Sequence, residues 1–161
     1  MKAAAFDYLK PADLAAATKA LAEGAGQAKP LGGGQSLGPM LNLRLAQPSL
    51  LVDIPRIPDL VRIQDTADSV TLGACITHAS IEDGRVPDPG NGVLARVARG
   101  IAYRAVRSRG TIGGSLAHGD PASDLPSAIL ALRATLVIAG PNGTREVAAD
   151  DFFTGFLETA V

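Results

Sequence analysis

Gly110-Thr111-Ile112-Gly113-Gly114-Ser115-Leu116-Ala117-His118-Gly119-Asp120-Pro121-Ala122-Ser123-Asp124-Leu125-Pro126 is the stretch on which the reading of this chain turns. Its small residues have a counterpart far upstream, Leu31-Gly32-Gly33-Gly34-Gln35-Ser36-Leu37. One glycine stretch alone is more often a turn than a ligand site. Two of them predict small-residue loops that clamp one long anionic ligand from both sides, and a dinucleotide is such a ligand. A pyrophosphate is met by backbone N–H groups, and glycine lets the backbone approach because it has no Cβ and adopts positive φ cheaply. Gln35 and Ser36 add side-chain donors to the first stretch, and Thr111 and Ser115 to the second. Asp120 and Asp124 would repel a phosphate but suit a sugar hydroxyl.

Other nucleotide motifs fit less well. Asp53 ends an apolar run at roughly the ~20-residue distance of a dinucleotide-fold acid. However, Gly32-x-Gly34-x-x-Leu37 lacks the third glycine, and Pro39 stands where the following helix should run. No Gly-x-x-x-x-Gly-Lys-Ser/Thr loop occurs, which removes P-loop nucleotidases.

Composition sets the outer limits. The 161 residues, 47% of them hydrophobic, suffice for one ordinary domain or two small lobes with a real core. A formal net charge of -1 offers no global attraction to nucleic acid or to an acidic membrane. Cys75 stands alone, so no internal disulfide and no iron–sulfur cluster held by this chain is expected. His78 and His118 are too few for a dedicated zinc site, and with Cys75 they read as packing or hydrogen-bonding residues. Met1-Lys2-Ala3-Ala4-Ala5-Phe6-Asp7 carries an acid early and no long apolar run, so neither a signal peptide nor a membrane span is expected and the cytoplasm is the default location.

Strand and helix signals are mixed without the regular alternation of a doubly wound sheet, which predicts an α+β fold. Pro11 suits the first residue of a helix carrying Leu14, Thr18 and Leu21 on one face and stopping at Gly24. Lys29-Pro30-Leu31 reads as a strand delivering the first glycine stretch. Leu41, Leu43 and Leu45 alternate in a weakly strand-like way, and Leu50-Leu51-Val52-Asp53-Ile54 has a buried-strand pattern. Pro55 and Pro58 suggest a lobe boundary, giving residues 1–55 and 56–161. Further on, Ser69 to Ala74 reads as a strand, and Thr77 as the cap of a helix containing Ser80 and Ile81. Val93, Leu94, Val97 and Ile101 share a helix face, and Arg96, Arg99, Arg104, Arg107 and Arg109 read first as a solvated one. A helix from Leu125 to Arg133, a strand from Thr135 to Ile138, a hairpin turn at Pro141-Asn142-Gly143-Thr144 and a short segment capped by Asp150 complete the chain.

These residues resemble a family. Leu31-Gly32-Gly33-Gly34-Gln35-Ser36-Leu37, then Asn42-Leu43-Arg44-Leu45-Ala46 and Leu51-Val52-Asp53-Ile54, are similar to the FAD-binding medium subunits of molybdenum hydroxylases, such as carbon monoxide and xanthine dehydrogenases. So are Ile76-Thr77-His78-Ala79, the stretch from Val106 through Pro126, and Phe152-Phe153-Thr154-Gly155. The resemblance implies a vanillyl-alcohol-oxidase or PCMH-type fold of two lobes with noncovalent FAD between them. It assigns Leu31, Gly32, Gly33, Gly34, Gln35, Ser36 and Leu37, with Thr111, Ile112, Gly113, Gly114 and Ser115, to the FAD phosphates and ribityl chain. It assigns Asp124 to a flavin-side hydroxyl and Ile101 to the isoalloxazine. No catalytic side chain and no metal ligand is assigned. It further implies an oxidoreductase subunit, inactive on substrate alone. Electrons would pass from 2Fe–2S clusters of a small partner subunit to NAD, quinone or oxygen, and a large partner would hold the molybdenum cofactor.

Three departures accompany the resemblance. Ser115 stands where the family usually has Asn, Ala102 follows Ile101 where Gly is common, and the family's second domain is expected to be missing after Val161. Two other readings are a flavinless structural subunit of such a complex and a stand-alone FAD-dependent reductase of the enolpyruvyl-reductase type.

Overall fold

The computed structural model describes residues 2–161; Met1, the first residue of the expected N-terminal lobe, lies outside the described residues. The first elements are β1 (Asp7–Leu9), α1 (Leu14–Glu23), β2 (Ala28–Leu31), α2 (Leu37–Asn42) and β3 (Leu50–Asp53). The three strands form a parallel sheet in the order β1-β3-β2, with Leu31 opposite Asp53 and Tyr8 opposite Leu51. Parallel neighbours cannot be joined by a tight turn, so α1 and α2 serve as the crossovers. Leu51 and Val52 of the central strand are buried, and Ala17 of α1 packs with Val52 and Ile57 in a small apolar core.

α1 differs in detail from its sequence pattern. Its cap is Asp13, whose carboxylate accepts the Ala16 amide at 2.8 Å, so Pro11 precedes the helix instead of starting it. The apolar face is Leu14, Ala17, Ala20 and Leu21. Thr18 instead donates its hydroxyl back to the carbonyls of Leu14 and Ala15. α2 overturns the strand-like reading of Leu41, Leu43 and Leu45. Leu41 lies buried in the helix, while Leu43 and Leu45 follow it exposed. Pro39 sits within the first turn, where an N–H has no intrahelical partner to lose, so it does not stop this helix.

The rest of the chain comprises α3 (Pro58–Val61), β4 (Ile63–Asp65), β5 (Val70–Leu72), α4 (His78–Glu82), α5 (Val93–Gly100), α6 (Arg104–Arg107), α7 (Ile112–His118), α8 (Asp124–Ala131), β6 (Thr135–Gly140), β7 (Gly143–Ala148), α9 (Ala149–Phe152), β8 (Phe153–Gly155) and β9 (Glu158–Thr159). β4–β5, β6–β7 and β8–β9 are antiparallel pairs. Pairing of Gly140 with Gly143 leaves Pro141 and Asn142 as the two-residue turn, with Gly143 at φ 115°. Ala148, not Asp150, stands at the N-cap of α9, and Asp150 falls in its first turn. The larger core gathers Ile81 of α4, Leu94 and Ala98 of α5, Leu116 of α7, Leu125 and Ile129 of α8, and Phe152. Helices and mostly antiparallel strands thus share one molecule in an α+β arrangement, with parallel pairing confined to the first fifty-odd residues.

Candidate functional site: the junction of the two glycine stretches

Packing brings the two glycine stretches into direct contact. A Cβ on Gly33 would lie 2.6 Å from the carbonyl carbon of Arg109 and 2.7 Å from Cα of Gly110. One on Gly32 would lie 3.1 Å from Oγ1 of Thr111. Gly34, at φ +70°, takes the left-handed backbone that turns the chain toward α2. The second stretch is anchored on its other side. Ile112 N–H donates to the Ile76 carbonyl at 2.9 Å, Gly113 N–H to Ala74 at 2.8 Å, and His78 N–H to Gly110 at 3.0 Å. Gly113 lies flat on this segment, since a Cβ there would come within 2.7 Å of the Ala74 oxygen.

The two stretches have different characters. Residues 32–36 form an irregular loop. Among the described residues, none of its five amides donates a hydrogen bond within the chain. The Gln35 side-chain amide donates to the Gly33 carbonyl at 3.0 Å, and exposed Ser36 precedes α2 with no capping bond from its hydroxyl. The second stretch is not the loop that its glycines predict: Gly113 and Gly114 lie in the first turn of α7. Buried Thr111 caps that helix, its Oγ1 accepting the Gly114 amide at 3.1 Å. Neither glycine there has positive φ. Between Gly110 and Ser115 only the Thr111 amide is without a partner among the described residues. A run of unpaired N–H groups on a loop that opens with three glycines fits an extended phosphate chain, because phosphate oxygens can satisfy donors the fold leaves open.

Behind α7, His78 is 1% exposed, and its Nε2 is hydrogen-bonded to the Ser115 hydroxyl at 2.9 Å. Its Nδ1 has no partner among the described residues. Burial pushes the imidazole down to about 4, so it is neutral at physiological pH. Buried Cys75 is pushed up to about 11, chiefly by burial and further by the Asp53 carboxylate, and is a packed thiol. Asp53 itself accepts the Tyr8 hydroxyl at 2.6 Å, a bond that raises the phenol above its ordinary value.

The remaining assigned residues lie where α5 meets α8. Asp124 heads α8 as an exposed carboxylate, 3.9 Å from the point where a Gly100 Cβ would stand. Half-buried Ile101 closes α5, and the next residue, Ala102, has φ +40°. Left-handed backbone costs a residue with a Cβ about 1–2 kcal/mol, so a glycine would be at ease there. Four hydrogen bonds from Arg107 hold this turn against α4, to the carbonyls of Ile101 and Ala102 and to both oxygens of Glu82.

A family description, the FAD binding domain in molybdopterin dehydrogenase, matches residues 4–161. The chain belongs to that family. Among curated relatives, the carbon monoxide dehydrogenase medium chain of Hydrogenophaga pseudoflava is 42% identical over 96% of this chain and 54% of its own length. The 6-hydroxypseudooxynicotine dehydrogenase subunit alpha of Paenarthrobacter nicotinovorans is 37% identical over 100% and 54%. Among solved structures, the Hydrogenophaga pseudoflava carbon monoxide dehydrogenase that lacks the Mo-pyranopterin moiety superposes with TM-score 0.92 at 41% identity, covering 100% of this chain and 56% of that one. Quinoline 2-oxidoreductase from Pseudomonas putida 86 gives 0.91 at 39%, with the same coverage. The chain therefore spans about half the length of the relatives it matches.

In this FAD-binding domain, sequence reasoning located both glycine stretches but missed what braces them. The five arginines do not form one solvated face. Arg96 and Arg99 are exposed, whereas Arg107 is 11% exposed and, with Arg104, pairs with Glu82, and Arg104 also grips Asp83. Those arginines hold both carboxyls below the usual carboxylate range. The hydroxyls of Thr111 and Ser115, read as ligand donors, are engaged inside the chain with Gly114 and His78. Asp120 accepts the Ala122 amide in a local turn. No helix among the described residues is long and apolar enough to cross a membrane.

Proposed function

We propose that this domain holds FAD noncovalently at the glycine junction, as the flavin-binding part of the medium subunit of a molybdenum hydroxylase. The observation that carries the reading is the run of unpaired amides at residues 32–36 pressed against Arg109, Gly110 and Thr111, in a chain of this family. Residues Leu31 to Leu37 would receive the phosphates. Thr111, Ile112, Gly113, Gly114 and Ser115 would form the opposite wall, with the ribityl chain beside them. Asp124 would accept a hydroxyl, and Ile101 would present an apolar side to the isoalloxazine. The lobes of residues 1–55 and 56–161 would close on the cofactor from its two sides. FAD, when bound, supplies the redox chemistry, and the protein supplies binding, orientation and electrostatics.

In this reading the protein is a cytoplasmic oxidoreductase subunit. A small 2Fe–2S subunit delivers electrons derived from substrate oxidised at the molybdenum subunit, and NAD, quinone or oxygen removes them. The test is made on the protein together with whatever chains co-purify with it. Anaerobic substrate should bleach the flavin absorbance of the complex but not of this subunit alone, and acid should then release all the yellow cofactor to the supernatant. A colourless complex, flavin retained on the denatured chain, or equal bleaching of the isolated subunit would overturn the corresponding part of the reading.

A further inference from the structure

The turn at Ile101 and Ala102 is held with more hydrogen bonds than its place at a helix end requires. Arg107 Nη1 donates to the Ile101 carbonyl at 3.0 Å and to the Ala102 carbonyl at 2.9 Å. Its Nε and Nη2 form a fork on Glu82 at 2.7 and 3.1 Å. Glu82 is 14% exposed and is also bonded to Arg104, which in turn grips Asp83 through two nitrogens. The guanidinium is thus fixed in position before it reaches the turn. The turn itself is in a conformation that alanine disfavours, at φ +40°. Strained backbone of this kind persists only where its surroundings over-determine it, and it concentrates at functional sites. Gly100, immediately before the turn, stands beside the Asp124 carboxylate.

We propose that Arg107, oriented by Glu82, is a positioning residue of the FAD site: it holds the strained turn at Ala102, and so sets the position of Ile101 for the isoalloxazine. The inference rests on the FAD reading above. A guanidinium is needed because only a planar fork can bond two carbonyls and a carboxylate together. Without it, Ala102 relaxes out of the left-handed region and Ile101 moves with it. With glycine at 102 that driving force disappears, since glycine takes the same backbone at little cost.

The experiment is a double-mutant cycle on the full protein freed of flavin. Its readouts are FAD titration followed by flavin fluorescence, and the visible circular dichroism of the bound flavin. Arg107→Gln is expected to weaken FAD binding about tenfold and to alter the visible dichroism. The same substitution in an Ala102→Gly background should cost about threefold or less. A purely structural arginine would lower the melting temperature, with the same affinity loss in both backgrounds. Glu82→Gln is the milder variant and decides the matter if Arg107→Gln does not fold; it should shift affinity and dichroism in the same direction. Wild-type affinity and dichroism in both Arg107→Gln and Glu82→Gln, or a loss undiminished by Ala102→Gly, overturns the proposal. Failure of the wild-type protein to bind FAD would instead overturn the cofactor reading itself.

Discussion

Replacing Gly33 by alanine places a methyl group 2.6 Å from the Arg109 carbonyl carbon and 2.7 Å from Gly110 Cα, where ordinary contact begins at 3.4 Å. Both obstacles are backbone, and neither can swing aside as a side-chain end would. The two stretches must therefore part by about 1 Å, an overpacking that costs ~1–3 kcal/mol. In the FAD reading the same displacement spoils at least one hydrogen bond from a loop amide to a charged phosphate oxygen. Such a bond is worth ~1.5–3 kcal/mol, or roughly ten- to a hundredfold in Kd. The measurement is a fluorescence titration of the flavin-free protein with FAD, paired with thermal unfolding in the presence and absence of FAD. Gly38→Ala is the matched control. Its Cβ meets nothing within 4 Å and its backbone is helical, so affinity should hold and stability should rise slightly. Wild-type affinity and an unchanged melting temperature in Gly33→Ala would refute the claim that this contact shapes the site.

Two further predictions follow from the interior and from the first helix. Neutral His78 makes stability pH-dependent. Above pH ~6.5 the folded and unfolded states both hold a neutral imidazole and no dependence arises. Between that value and about 4 the unfolded chain takes up a proton that the folded one refuses, so stability falls as pH falls, by roughly 3 kcal/mol in all. Glu82 and Asp83, held below the ordinary carboxylate range, contribute stability that is fully present above that range and is lost as pH falls below it. Urea unfolding at pH 6.5 and 5 should therefore show a drop of ~2 kcal/mol that is absent in His78→Gln; equal drops in both proteins would exclude His78 as the source. Asp13→Ala removes the cap of α1 and should cost about 1 kcal/mol in urea unfolding while leaving FAD affinity intact; no change in stability would show that the cap bond contributes nothing.

Much of the local structure was legible. Gly24 ends α1, Thr77 caps α4, and Pro126 sits in the first turn of α8, each where its chemistry suggests; the β6–β7 hairpin also forms, with its two-residue turn at Pro141-Asn142, one place before Asn142-Gly143. The failures have physical reasons. Leucines at 41, 43 and 45 mimic a strand, but only Leu41 has a core to enter, and Pro39 is harmless in a first turn. Gly113 and Gly114 have poor helix propensity, and α7 forms because Thr111 caps it and Gly113 packs flat on Ala74. Arg107 read as one of a solvated row because its partner, Glu82, lies twenty-five residues away with no periodic relation to it.

By itself, the sequence determined the α+β class, the two glycine stretches and their order, and the family to which they belong. Those properties live in single residues and their near neighbours: a missing Cβ, a capping hydroxyl, a fixed proline φ. Only the tertiary structure decided that Gly33 presses on Arg109 and Gly110, and that the amides of residues 32–36 stay unpaired while those of α7 are consumed by Thr111, Ala74 and Ile76. It likewise decided that Arg107 reaches Ile101 and that His78 lies behind Ser115. Each of these depends on which atoms come within about 3 Å of one another once the cores have closed, and separation along the chain carries no information about that.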